Sequence, residues 1–424
     1  MALPFIFSLI FSAVLLVGCS AEPDYKTVEF WAMGREGEMV QSLIPEFEWL
    51  NPGIRVKVQR IPWSAAHEKL LTAYAGEAMP DVFQLGNTWI PEFVALGAVE
   101  ELDGRLAPKG AIAREDFFAG ILATNEINGR LHGLPWYVDT RLLFYRKDIL
   151  ALVGYSEPPR TWREWSEAMA RVQALPGGEH YALLLPMNEW QVPAILGLQL
   201  GAGLLRDGDR YGDFRSPEFR RAFGFYLDMF RQGYAPAVAE AQIANLYQEF
   251  AKGYFALYVT GPWNIGEFQR RLPKSLGDRW ATAPMPGPDG SPYPGLSLAG
   301  GASLALSRAS RHKEDAWKLI EFLEAPERQV AFYRLTGDLP ARHSAWDYPE
   351  LAGERHIQAF KTQLARVAPT PKIPEWERIA AKMAHYAEKA VRGELSEDRA
   401  LAELDADVDR LLEKRRWLME RAAR

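Results

Sequence analysis

The chain of 424 residues has a single cysteine, Cys19, so no disulfide can form within one molecule. After the first seventeen residues it has no second long apolar run, which removes any further membrane-spanning helix. Positive charge is not in excess: 49 Lys and Arg stand against 55 Asp and Glu, giving a net charge of -6. The basic residues are also scattered, which argues against a nucleic-acid surface, since that needs clustered positive charge. His67, His132, His180, His312, His343, His356 and His385 never fall into a paired metal motif such as HExxH, and no GxxxxGK[ST] phosphate loop is present. A GxSxG nucleophile elbow is missing too. No cofactor, metal ligand or catalytic residue is therefore assigned. A glycosidase stays open at this point, because it requires only two suitably separated carboxylates.

What the chain does have begins with a leader. An apolar run from Leu3 to Val17 ends in Leu16-Val17-Gly18-Cys19, followed by polar Ser20-Ala21-Glu22-Pro23-Asp24. Its length and its small residue before the cysteine suit a secretory signal peptide better than a membrane span. Residues 1–18 read as a lipoprotein signal peptide, Cys19 as the lipid attachment site, and residues 19–26 as a tether to the membrane. The leader lacks a Lys or Arg before its apolar stretch, and a plain signal peptide with an incidental cysteine is the alternative.

The remaining ~400 residues exceed the size at which one core stops growing, so two domains are expected. Fourteen Trp and sixteen Tyr supply flat apolar faces with polar edges, suited both to cores and to stacking on partly apolar ligands. Thr27-Val28-Glu29-Phe30-Trp31 reads as a buried strand, followed by helical spacing at Val40, Leu43, Ile44 and Phe47 and a turn at Asn51-Pro52-Gly53. Ile54, Val56 and Val58 alternate with polar residues as in a strand; a helix around Leu70 to Tyr74 then leads to the apolar run Val82-Phe83-Gln84-Leu85-Gly86. Alternating strands and helices imply an α/β sheet covered by helices, with ligand outside the carboxyl ends of the strands, so the loops after Trp31 and Leu85 are singled out.

Further on, Thr161-Trp162-Arg163-Glu164 has the spacing of a capping box. Ser216-Pro217 opens a helix whose one face carries Phe219, Phe223, Tyr226 and Phe230. The Pro- and Gly-rich stretch from Ala281 to Pro294 reads as a loop or crossover between lobes. Ala316, Leu319, Ile320 and Leu323 form one helical stripe, and Leu401, Leu404, Val408 and Leu411 another.

Several phrases, taken together, resemble the extracellular solute-binding proteins that serve ABC importers, in particular the sugar-binding branch that includes maltose-binding protein. The most specific is Phe250-Ala251-Lys252-Gly253-Tyr254-Phe255-Ala256-Leu257-Tyr258-Val259-Thr260-Gly261-Pro262-Trp263, similar to that family's F-x-x-G…G-x-W segment. Met79-Pro80-Asp81-Val82, Gly133-Leu134-Pro135, Tyr145-Arg146-Lys147-Asp148, Pro158-Pro159-Arg160-Thr161-Trp162, Gly300-Gly301, Ala316-Trp317 and Leu339-Pro340-Ala341-Arg342 follow in the family's order. The resemblance implies a two-lobed α/β periplasmic-binding-protein fold with several hinge crossings, closing on a ligand held in the cleft between the lobes. By analogy one lobe takes residues 25–138 plus 297–336, and the other 142–293 plus 340–424.

The resemblance also nominates ligand residues. Trp263 falls where an indole stacks on a sugar ring, whose aliphatic C–H face suits an aromatic surface. Asp139, six residues before Tyr145, falls where the branch places a cleft carboxylate able to accept two hydroxyl hydrogen bonds. Asn87, Thr88 and Trp89 follow a strand end, with Asn87 and Trp89 as contacts; Arg35 and Glu36 follow the first strand through Gly34, their signs in a different order from the maltose-binding relative. Trp136 and Tyr137 flank the first crossing, and Trp190 lies in a stretch that often supplies an aromatic wall. Gly300 and Gly301 permit close backbone approach, with hinge service as the alternative. Arg342 offers a planar donor fork; if it and Arg35 both face the cleft, an acidic sugar or phosphate ester becomes a candidate. The function implied is a monomeric, non-catalytic, membrane-anchored receptor on the extracytoplasmic face, handing a sugar or oligosaccharide to ABC permease subunits. The alternatives are a receptor for another solute such as glycerol phosphate or a polyamine, a surface-anchored carbohydrate-active enzyme, or a receptor feeding a signalling partner.

Overall fold

The computed structural model describes residues 25–106, 111–177, 180–239, 242–243 and 245–422. The leader and Cys19 lie outside them. Among the described residues no helix is long and apolar enough to cross a membrane.

Two sheets organise the chain. In the first, Lys26–Met33 pairs in parallel with Ile54–Ile61 on one side and Val82–Gly86 on the other. Gly300–Leu306 then runs antiparallel to both Val82–Gly86 and Leu134–Asp139, and the short edge strand Leu339–Pro340 completes the sheet. The second sheet holds Trp280–Ala283, Leu142–Arg146, Phe255–Thr260 and Tyr181–Leu184 in that order. The segment expected as a loop from Ala281 to Pro294 thus begins inside a strand, because Trp280 to Ala283 pair along Arg146 to Leu143 before the prolines interrupt the ladder.

Strand periodicity explains why each sheet is covered on both faces. Successive side chains point to opposite sides, so Phe30 and Ala32 enter one apolar cluster while Trp31 and Met33 enter another. Leu142 and Phe144 likewise face one core and Leu143 and Tyr145 a second. Such double burial requires near-continuous apolar runs, which these strands have. Helices supply the covers. Lys313–Glu324 buries Ala316, Leu319, Ile320 and Leu323; Glu397–Leu411 buries Leu401, Leu404 and Val408. Pro217–Arg231 opens on its proline with Phe219, Phe223 and Tyr226 inside. Helix Trp162–Gln173 starts with a complete capping box: the Glu164 amide donates to Thr161 Oγ1 at 3.2 Å, and the Thr161 amide donates to Glu164 Oε2 at 3.3 Å.

The chain passes between the sheets three times. Leu134–Asp139 gives way to Leu142–Arg146 across only Thr140 and Arg141. Residues 284–299 return to the first sheet, with Ser297–Leu298 paired to Val367–Ala368. The last passage follows Leu339–Pro340. That strand, expected to stand at the start of the second lobe, is hydrogen-bonded to Val138 and Tyr137 of the first sheet, and the loop after it is tied there by Arg342. The chain is back on the second sheet by His356, which stacks on Trp280, and Phe360, which packs edge-on to Phe144; Ile373 and Trp376 then enter the core on that sheet's other face.

Candidate ligand-binding cleft

Every strand order and direction above brings strand ends to one opening. The carboxyl ends of Lys26–Met33, Ile54–Ile61 and Val82–Gly86 lead to Glu36, Trp63 and Asn87-Thr88-Trp89; Asp139 pairs with Gly300 at the same end. From the second sheet, Phe255–Thr260 leads through Gly261 to Trp263, and Trp190 opens helix Gln191–Gln199. These residues line a cleft of about 410 Å³ together with Tyr137, Arg141, Gly301, Asp338 and Thr370. Its volume falls within the range of small-molecule sites.

The wall from the first sheet is tied by hydrogen bonds. Met33 N–H donates to Gln84 Oε1 at 2.7 Å; Gln84 Nε2 donates to the Tyr137 hydroxyl at 3.1 Å; that hydroxyl donates to Glu36 Oε1 at 2.9 Å. Trp63 Nε1 adds a longer contact to Glu36 Oε2 at 3.3 Å. Burial raises the Glu36 pKa, against the lowering effect of these donors. Asp338 is pushed up to about 8 by burial and then by the field of Glu36. Asn87 is engaged at both ends: its Nδ2 donates to Gly300 O at 3.1 Å, and its Oδ1 accepts from Ser303 Oγ at 2.8 Å. It therefore pins the loop to the neighbouring strand. Trp89 stands edge-on to Trp63, with centroids 5.6 Å apart. Gly301 has φ +113°, and an added Cβ would meet Tyr137 O at 2.2 Å, so glycine is required there by the strand pairing itself.

The opposite wall is aromatic. Trp263 is 41% exposed, enough to receive a ring, and Trp190 packs edge-on against Trp376. A Cβ at Gly261 would lie within 1.9–2.6 Å of the six-membered ring of Trp263, which explains the G-x-W spacing: the indole is packed on a bare backbone. The Arg141 guanidinium sits 4.6 Å from the Trp263 ring centroid and forms an ion pair with Asp139 at 3.2 Å. Burial raises the Asp139 pKa while Arg141 pulls it down.

Of the residues singled out from the sequence, Glu36, Asn87, Trp89, Tyr137, Asp139, Trp190, Trp263, Gly300 and Gly301 are brought together in this cleft. Three are not. Trp136 is 1% exposed and stacks on Phe332 at 4.3 Å, because strand alternation sends it to the face opposite Tyr137. Arg342 is buried in the first lobe, its Nε bonded to Asp116 at 2.8 Å and its remaining nitrogens to Glu324 O and Ala111 O. Arg35 lies in an adjoining recess of about 380 Å³ and donates to Leu335 O. The pair of arginines that made an acidic sugar or phosphate ester a candidate is thus absent from the cleft, whose described lining carries the carboxylates of Glu36, Asp139 and Asp338. Among the described residues no group of three or more His, Cys, Asp or Glu is placed to hold a metal.

Trp63, Arg141 and Asp338 were missed. Trp63 follows a strand end, the same signal that picked out the loops after Trp31 and Leu85. Arg141 stands two residues after a nominated acid on the shortest crossing. Asp338 carries no local signal.

Comparison with known proteins bears on the family and the fold. Residues 34–330 match the family model described as bacterial extracellular solute-binding protein. The chain is similar to the sugar-binding protein MalE from the phytopathogen Xanthomonas citri, with 49% identity, 93% of this chain and 99% of that one covered, and a TM-score of 0.89. An ABC transporter solute-binding protein from Thermotoga lettingae, solved bound with alpha-D-tagatose, is 26% identical over 91% of this chain and 100% of that one, with a TM-score of 0.76. The diacetylchitobiose-binding protein DasA of Streptomyces coelicolor is 25% identical over 84% of this chain and 82% of its own.

Proposed function

Because the chain belongs to the bacterial extracellular solute-binding proteins, we propose that it captures a sugar or oligosaccharide between its lobes and delivers it to the permease of an ABC transporter. The observation that carries this reading is the facing of Trp263 across one cleft from hydrogen-bonding acids, Asp139 and Glu36. A pyranose has an apolar face for the indole and hydroxyls for the carboxylates. A site built on hydroxyl hydrogen bonds also rejects solutes that leave its buried polar groups unpaired. Relatives named for maltotriose, galactooligosaccharide and diacetylchitobiose support a sugar as the class.

In this reading the ligand-contacting set is Glu36, Trp89, Tyr137, Asp139, Trp190 and Trp263, with Trp63 and Asp338 added, Arg141 lining the cleft beside Asp139, and Asn87, Gly300 and Gly301 shaping the floor. The lobes in this reading are residues 25–138 with the strands at 300–306 and 339–340, against 142–283 with the segment from His356 onward. The receptor acts as a monomer on the extracytoplasmic face, held to the membrane by lipid on Cys19, and leaves its ligand chemically unchanged. The test is calorimetry of the purified protein against maltose, maltotriose, glycerol 3-phosphate and spermidine, with chromatography of the recovered ligand. Stoichiometric binding of a sugar, recovered intact, is expected. Binding only of the phosphate ester or the amine, or multiple turnovers of a glycoside, contradicts it.

A further inference from the structure

The Trp263 indole, though 41% exposed, already carries a cation. Its six-membered ring is packed on Gly261, and the Arg141 guanidinium lies 4.6 Å from the ring centroid, within the layer that the carbon face of a sugar would occupy. The same guanidinium engages both oxygens of Asp139, at 3.2 and 3.3 Å, the acceptors that hydroxyls would use. One side chain therefore holds both halves of the proposed sugar seat.

We infer that Arg141 is a built-in competitor for the ligand: capture requires an exchange in which a sugar takes the indole face and the Asp139 carboxylate from the guanidinium. This rests on the sugar-binding reading above. The exchange is confined to the side chain, because the Arg141 backbone carbonyl accepts a hydrogen bond from Ser297 Oγ at 2.8 Å and is held with the crossing. A ligand displaces Arg141 only by presenting an apolar ring face and a pair of hydroxyl donors at once, so this residue sets a threshold that acyclic polyols, which lack the ring face, do not meet. Arg141 is also one of the two residues joining the sheets, so the exchange occurs on the shortest crossing.

The test compares the full chain with Arg141→Gln, which retains an amide to pair with Asp139 but has no cation, and Arg141→Lys, which keeps the charge with a weaker hold on the ring. With maltose as the calorimetric probe, Arg141→Gln is expected to bind roughly three- to tenfold more tightly than wild type, the scale of one cation–π contact, with Arg141→Lys in between. A second readout needs no ligand: acrylamide quenching of tryptophan emission should rise in Arg141→Gln and not in the double variant with Trp263→Phe. Unchanged or weaker maltose binding by both single variants, or equal quenching in all proteins, overturns the inference. If wild type binds no sugar while quenching rises as stated, the sugar reading fails and the masking of Trp263 stands.

Discussion

The two walls of the cleft are built by different physics. On the first-sheet side, Glu36 and Asn87 are gripped by buried networks running through Gln84, Tyr137 and Ser303, so donors and acceptors keep their positions whatever enters. On the second-sheet side, Trp263 is set by packing on Gly261, and its polar neighbour is an arginine that it shares with Asp139. A satisfied buried network rigidifies, because every broken bond leaves an unpaired group in a low-dielectric interior. A cation resting on a partly exposed ring face can instead be exchanged for a ligand that covers the same face. One wall is a template and the other an adaptable surface.

The largest effect expected from breaking this contrast lies outside the cleft, in the first lobe that carries the template. Arg342→Met leaves Asp116 without its ion pair, at a cost of about 3–5 kcal/mol; calorimetric melting should show a drop of several degrees, and sugar affinity at a temperature where the fold persists should be unchanged. Loss of affinity without loss of stability would move Arg342 back among ligand residues.

Next comes Trp263→Ala. Removal of a stacking surface costs about 2 kcal/mol, roughly thirtyfold in Kd, and titration calorimetry should find this with little change in melting temperature, since the ring is partly exposed. A large fall in melting temperature would make Trp263 a part of the core and erase the difference between the walls.

The remaining effect is the pH dependence of the template. Asp338 is pushed up to about 8 by burial and by Glu36, so in the fold it stays protonated where the unfolded chain has released its proton. For such a carboxyl, stability is fully present below the unfolded value near 4 and is lost as pH rises through about 8. Asp338→Asn mimics the neutral form. Its melting temperature relative to wild type should be near zero difference at pH 4, climb to about pH 8 and level off above that; a flat difference from pH 4 to 8 contradicts the shift.

Much of this architecture was legible before the fold. The near-continuous apolar run of Val82 to Gly86 and the apolar stripe at Ala316, Leu319, Ile320 and Leu323 report burial directly, because a strand covered on both faces is apolar along its length and a helix repeats every 3.6 residues. The capping box at Thr161 and the proline start at Pro217 are likewise contained within four residues. Trp136 and Tyr137 show the same rule applied incompletely: adjacent residues of one strand face opposite sides, so one of the two had to be core.

What the residues alone determined was therefore local: periods, caps, strand ends, and the family phrases that marked Trp263 and Asp139. Tertiary structure decided everything that depends on meeting across sequence distance. It placed Asp338 beside Glu36, 302 positions apart, sent Arg342 to Asp116, and laid Arg141 over Trp263. A charge's partner is set by which strand ends converge, and that convergence arises only when the two sheets are joined through their crossings.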